Sequence, residues 1–134
     1  GMVDYNEAFK IYSKTDFMFA IYDPEIPNNR FSAPNKVYEA MMLGKPIVVA
    51  KNTGIDTIII DNNMGFVIDF SKEAFKELLD KIMNKSTDWK VTGANAKLAY
   101  DKYSWVTMKK RLVELYRYIN SNRKWYAYKI RNQA

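Results

Sequence analysis

Glu39 closes a short run, Pro34-Asn35-Lys36-Val37-Tyr38-Glu39, whose residue types suit a polar, phosphate-bearing ligand. Proline is favoured in the first turn of a helix, where its missing N–H would be unpaired in any case. Pro34 is therefore expected to open a helix, with Asn35, Lys36 and Glu39 near its start. Free amides and the helix dipole favour anions there, and Lys36 adds a cation. Glu39 adds a carboxylate, which offers acceptor sites to two adjacent hydroxyls. Taken alone, Glu39 reads first as an ordinary helix-surface glutamate and Lys36 as a solvated lysine. A phosphate-friendly helix end next to a carboxylate in a parallel α/β context points instead to a nucleotide-type ligand.

The elements that must position these groups follow from pattern. Gly44 reads as a left-handed helix stop, Lys45-Pro46 as a turn, and Ile47-Val48-Val49-Ala50 as a buried strand. Upstream, residues 5–13 form a helix with Ala8, Phe9 and Tyr12 on its apolar side. Residues 17–21 form a strand apolar at every position, as in a strand covered by helices on both faces. Residues 23–30, with two prolines and two asparagines, form a loop at that strand's C-terminal end, the end at which open α/β sheets bind ligands. Downstream come Asn52-Thr53-Gly54, which a simple turn explains as well as a backbone contact to ligand does. A short helix (56–60) and a strand (66–68) follow. Ser71 caps a helix over 72–83, with Phe75, Leu78, Leu79 and Ile82 at helical spacing. A helix over 92–103 faces Ala94, Leu98 and Ala99 inward, and one over 105–119 puts Val106, Leu112, Leu115, Tyr116 and Ile119 on one face. Short parallel strands flanked by helices give an α/β fold.

Composition narrows the chemistry. With no cysteine and no histidine, disulfides, thiolate metal sites and imidazole bases are excluded. No apolar run approaches the ~20 residues of a membrane span, and the composition is that of an ordinary intracellular globular chain. Twenty-one basic against fifteen acidic residues leave a net charge of +6, suited to phosphates, nucleic acid or an anionic membrane surface. No Asp-x-Asp pair follows a strand to hold a divalent cation.

Ser32-Ala33-Pro34-Asn35-Lys36-Val37-Tyr38-Glu39-Ala40-Met41 followed by Gly44-Lys45-Pro46 resembles the donor-site segment of group 1 (family 4) GT-B glycosyltransferases. Asn52-Thr53-Gly54, the polar turn Asp61-Asn62-Asn63-Met64-Gly65, and Tyr103-Ser104-Trp105 before a long helix resemble that family in the same order. The resemblance runs from about Asn6 to Ile119. It implies part of the C-terminal, Rossmann-like donor domain, residues 2–120, with the first strands and the acceptor-binding N-terminal domain missing. Gly1 reads as a processing remnant and is set aside.

The resemblance also implies roles. Glu39 accepts hydrogen bonds from the ribose of a nucleotide-sugar donor, Lys36 stands near its phosphates, and Ser32 or Asn35 hydrogen-bonds them beside Pro34. Thr53 and Gly54 approach through backbone atoms. The family's second glutamate, eight positions earlier, is replaced by Phe31. The implied reaction is sugar transfer from a nucleoside-diphosphate donor, retaining and independent of metal and cofactor, with the isolated piece inactive. The basic, aromatic residues 121–134 read as a helix crossing to the missing domain, as a membrane contact at the inner face of a cytoplasmic enzyme, or as a frayed end. An uncovered apolar edge at 17–21 predicts a homodimer. Two rival readings are a receiver-like regulatory domain with Asp23 as phosphoacceptor and a nucleic-acid module. The first lacks an acidic pair after an initial strand, and the second lacks any recognised motif.

Overall fold

In a computed structural model, which describes residues 2–84 and 89–131 (123–131 as backbone only), helices and strands alternate from the start. The chain divides into two units, Gly1–Tyr100 and Asp101–Ala134. In the first, α1 (Tyr5–Lys14) leads to β1 (Met18–Ala20), α2 (Pro27–Arg30), α3 (Asn35–Leu43), β2 (Ile47–Ala50), α4 (Ile55–Asp61), β3 (Gly65–Ile68), α5 (Lys72–Met83) and all but the last turn of α6 (Trp89–Tyr103). The three strands are parallel in the order β1-β2-β3, with Met18 opposite Ile47 and Ile47 opposite Gly65. α3 connects β1 to β2 and packs on β1, and α4 connects β2 to β3 and packs on both of those strands. The result is a short Rossmann-like sheet flanked by helices.

Local chemistry accounts for most boundaries. Asp4 caps α1 by accepting from the Asn6 amide at 2.9 Å, and Ser71 caps α5 by accepting from Ala74 at 3.1 Å. Gly44, at φ 65°, ψ 37°, ends α3: its amide reaches the Met41 carbonyl while the Lys45 amide reaches that of Ala40. Those two bonds make a Schellman stop, which needs a residue tolerant of positive φ. The core gathers Val37, Ala40 and Met41 of α3, all of β2, Ile55 and Ile59 of α4, and Met64.

Several expectations are corrected. Pro34 does not occupy the first helical turn; it is the extended N-cap, and Asn35 is the first helical residue. The strand over 17–21 shrinks to Met18–Ala20, and only one of its faces is sealed. Met18 and Ala20 are buried, but Phe19 points the other way, 41% exposed, with its ring edge-on to Phe75 at 5.7 Å. β1 is an outer strand, so an apolar run there does not mean two covered faces. The loop over 23–30 contains the single turn α2, for which Pro27 supplies the first position.

In α6 the buried residues are Thr92, Gly93, Ala96 and Ala99, whereas Ala94 is exposed and Leu98 is 73% exposed. Gly93 is the reason. A Cβ there would sit 2.7 Å from the Gly44 carbonyl oxygen and 3.3 Å from Pro46 Cδ, so this backbone approach selects the face.

In the second unit, α7 (Trp105–Arg131) extends well past the expected 119. Ser104 starts it, its Oγ accepting from the Thr107 amide at 3.3 Å while Thr107 Oγ1 donates to the Asp101 carbonyl at 2.7 Å. The expected apolar face (Val106, Leu112, Leu115, Tyr116, Ile119) is exposed along its length. Of the basic, aromatic tail, the side chains from 123 onward and residues 132–134 lie outside the described residues. Among the described residues, no helix is long and apolar enough to cross a membrane.

Candidate functional site

The C-terminal ends of the strands carry three turns: 21–34 before α3, 51–54 before α4, and 69–71 before α5. The first two meet. Gly54 takes φ 70°, ψ −33° at the start of α4, and a Cβ there would stand 2.8 Å from the Arg30 carbonyl oxygen. This close approach sets the segment that delivers Ser32 and Pro34 to α3 beside the turn of Thr53 and Gly54.

No side chain caps α3, and no acid lies in its first turn. The Val37 amide is taken by the Pro34 carbonyl at 3.0 Å. The start of α3 thus has no anionic or capping side chain of its own, the condition under which a helix start can accept an external anion. Lys36, half-buried in that turn, makes no ion pair among the described residues, and Asn35 is exposed.

Glu39 sits one turn further along and is only 9% exposed. Burial of a carboxylate is costly unless it is paired or hydrogen-bonded. No cation lies within ion-pair distance of it among the described residues. Its partner is instead the Tyr5 hydroxyl, which donates to Glu39 Oε1 at 3.1 Å. This bond sets the start of α1 beside the start of α3. The bond, reinforced by the negative charge of Glu39, raises the Tyr5 pKa above its ordinary 10.0. Every buried side-chain polar atom among the described residues has a partner. Oε2 takes no protein donor among them, so it stays open to solvent.

The other expected residues divide by how much bonding capacity remains. Ser32 Oγ donates to the Asn29 carbonyl at 3.2 Å and keeps its acceptor sites. Thr53 is buried, its hydroxyl donating to the Ala50 carbonyl at 2.7 Å, so only its backbone can face a ligand. The Asp56 carboxylate takes the Asn52 and Thr57 amides, closing the start of α4 from within. Asp23 Oδ1 accepts from the Glu25 amide at 2.9 Å, an aspartate turn. Phe31, where the resemblance called for a second carboxylate, is 89% exposed at the end of α2.

Tyr5 escaped the sequence reading. It lies 34 positions from Glu39. Its one local signal is the i,i+4 spacing to Phe9, whose ring it meets at 6.3 Å. A groove of about 790 Å³ runs along β3 between α4 and α5, past Ile60, Val67 and Lys81, but none of Ser32, Pro34, Asn35, Lys36 or Glu39 lines it. Lys51 and Asn52 of the 51–54 turn, with Asp56 and Asp69, do line it, so the groove reaches that turn of the rim but not the start of α3.

Residues 32–99, just over half of the chain, match the family described as Glycosyl transferases group 1. The match begins at Ser32 and takes in the whole rim from there to Gly54. No curated protein and no solved structure matches the chain.

Proposed function

The chain belongs to the group 1 glycosyltransferases, and from that premise we propose that its sheet rim is the donor site of a GT-B enzyme. Glu39 accepts the ribose hydroxyls of a nucleoside-diphosphate sugar. The uncapped start of α3, with Lys36, Asn35, Ser32 and Pro34, receives the phosphates, and the backbone at Thr53 and Gly54 borders the ligand. In the reaction the bond from the anomeric carbon to the diphosphate oxygen breaks, and its electron pair goes to the diphosphate. Amides and Lys36 offset that growing charge, with no metal or cofactor required. The sugar passes to an acceptor hydroxyl with retention.

One observation carries this reading: a carboxylate buried to 9% exposure at the strands' C-terminal ends, without a cation partner, with one oxygen held and the other open. The bond to Tyr5 would also suit a structural glutamate, but the second oxygen, which takes no protein donor among the described residues, suits an acceptor for a diol. Ligand-observed NMR with UDP, GDP, ADP and CDP tests it. Saturation transfer to ribose protons in the wild type, lost in Glu39→Ala, is the expected result; transfer that persists in the variant refutes the Glu39 role.

The reading also includes an acceptor-binding part beyond these residues, cytoplasmic action, and activity only in the completed enzyme. β1 supports it: this outer strand has Phe19 exposed, and an apolar hollow of about 460 Å³ lies nearby among Ile21, Phe70 and Phe75. By itself, the 134-residue chain should cover that edge by pairing with a second copy. Light scattering that finds only monomer at high concentration removes the dimer. The reading involves no nucleic acid. Contact of the basic, aromatic residues 121–134 with a membrane face is a secondary part of it.

A further inference from the structure

The Glu39 carboxylate can serve two ligand hydroxyls only if its plane is held. A glutamate side chain has three rotatable bonds, and burial alone does not choose among orientations that place either oxygen outward. The anchor here comes from another element. Tyr5 OH donates to Oε1 at 3.1 Å; Tyr5 is 61% exposed, stands first in α1 directly after the Asp4 cap, and its ring lies 6.3 Å from that of Phe9. Each carboxylate oxygen has two acceptor sites. Oε1 can therefore hold Tyr5 and one ligand hydroxyl together, while Oε2, open to solvent, takes the other.

We propose that Tyr5 is the positioning residue of this site, holding Oε1 of Glu39 so that the carboxylate meets the vicinal diol of a ribonucleotide edge-on. The inference rests on the reading of Glu39 as ribose acceptor and extends it to a residue of a different helix. Tyr5 touches no ligand; it acts through Glu39. Its contribution therefore belongs to discrimination between ribose and a sugar lacking those hydroxyls, and not to nucleotide affinity in general.

The experiment uses the full chain and two probes, a nucleoside diphosphate from the UDP, GDP, ADP and CDP set and its dideoxy counterpart lacking both ribose hydroxyls. Affinities for both are measured by NMR titration in the wild type, Tyr5→Phe and Glu39→Ala. Tyr5→Phe keeps the ring and its contact with Phe9. A general loss of folded protein weakens both probes equally and leaves their ratio untouched. The expected result is a wild-type preference for the ribonucleotide that falls roughly three- to ten-fold in Tyr5→Phe and disappears in Glu39→Ala. A wild-type ratio in Tyr5→Phe, with the loss in Glu39→Ala intact, overturns the role of Tyr5 alone. No ribonucleotide preference in the wild type, or one that survives in Glu39→Ala, overturns the Glu39 reading and the inference with it.

Discussion

Replacing Gly54 by alanine probes the junction on which the rim depends. At φ 70°, ψ −33° the backbone lies where L residues are strained, a cost of order 1–3 kcal/mol. The added methyl would also stand 2.8 Å from the Arg30 carbonyl oxygen. An ordinary carbon–oxygen contact begins near ~3.3 Å, so the two turns must part by about half an ångström, at roughly 1 kcal/mol or more. Restricting the unfolded chain returns about 0.4–1 kcal/mol. The net expectation is a loss of about 2–3 kcal/mol, which for a typical urea slope of ~1–3 kcal/mol/M lowers the unfolding midpoint by about 1 M. Tryptophan fluorescence in a urea titration measures it. Asn52, at φ 61°, supplies the contrast: Asn52→Gly relieves a left-handed residue and should leave the midpoint unchanged or raise it. If Gly54→Ala unfolds within about 0.2 M of the wild type, the strain and the contact with Arg30 are both refuted, and with them the argument that Gly54 seats the 30–34 segment.

Gly65→Ala should yield little folded protein, because its methyl would overlap the carbonyl oxygen of Ile47 in the central strand; a native far-UV spectrum from soluble variant would contradict this. Lys36→Ala should weaken binding of a nucleoside diphosphate while leaving the bare nucleoside unaffected, and an equal effect on both would deny Lys36 a phosphate role. The Tyr5 phenol should titrate above the ordinary tyrosine value of 10.0, owing first to its bond to Glu39, then to the Glu39 charge, with slight desolvation and Tyr12 adding less. Since the folded value is the raised one, the link it supplies is fully present below the unfolded value and is lost as pH rises through the folded value. Tyrosine ring-carbon NMR of the wild type and Glu39→Gln checks this: the variant should titrate lower, and an unmoved titration would refute the bond.

Elements governed by neighbours a few residues away were legible without the fold. The Ser71 cap, the Gly44 stop, the bounds of α5 and the continuous Ile47–Ala50 run each involve interactions within about one helical turn or one strand, and all formed where expected, although on α5 Leu78 is buried and Leu79 is exposed. The same holds for the start of α3 to within a residue. The helix over 92–103 failed on its face and not on its existence. Periodicity offered Ala94 and Leu98, but the backbone approach of Gly93 to Gly44 chose Thr92, Gly93, Ala96 and Ala99.

By itself, then, the sequence determined a parallel α/β chain of group 1 glycosyltransferase type, with Glu39 at the front of one helix. Only the tertiary structure decided that this carboxylate would be buried and held by Tyr5, that the turns at Arg30 and Gly54 would touch, and that Phe19 would face outward from an outer strand. The reason is range: caps, stops and apolar spacing act within a turn of chain, whereas these contacts join residues of separate elements, which only the connections between parallel strands bring together.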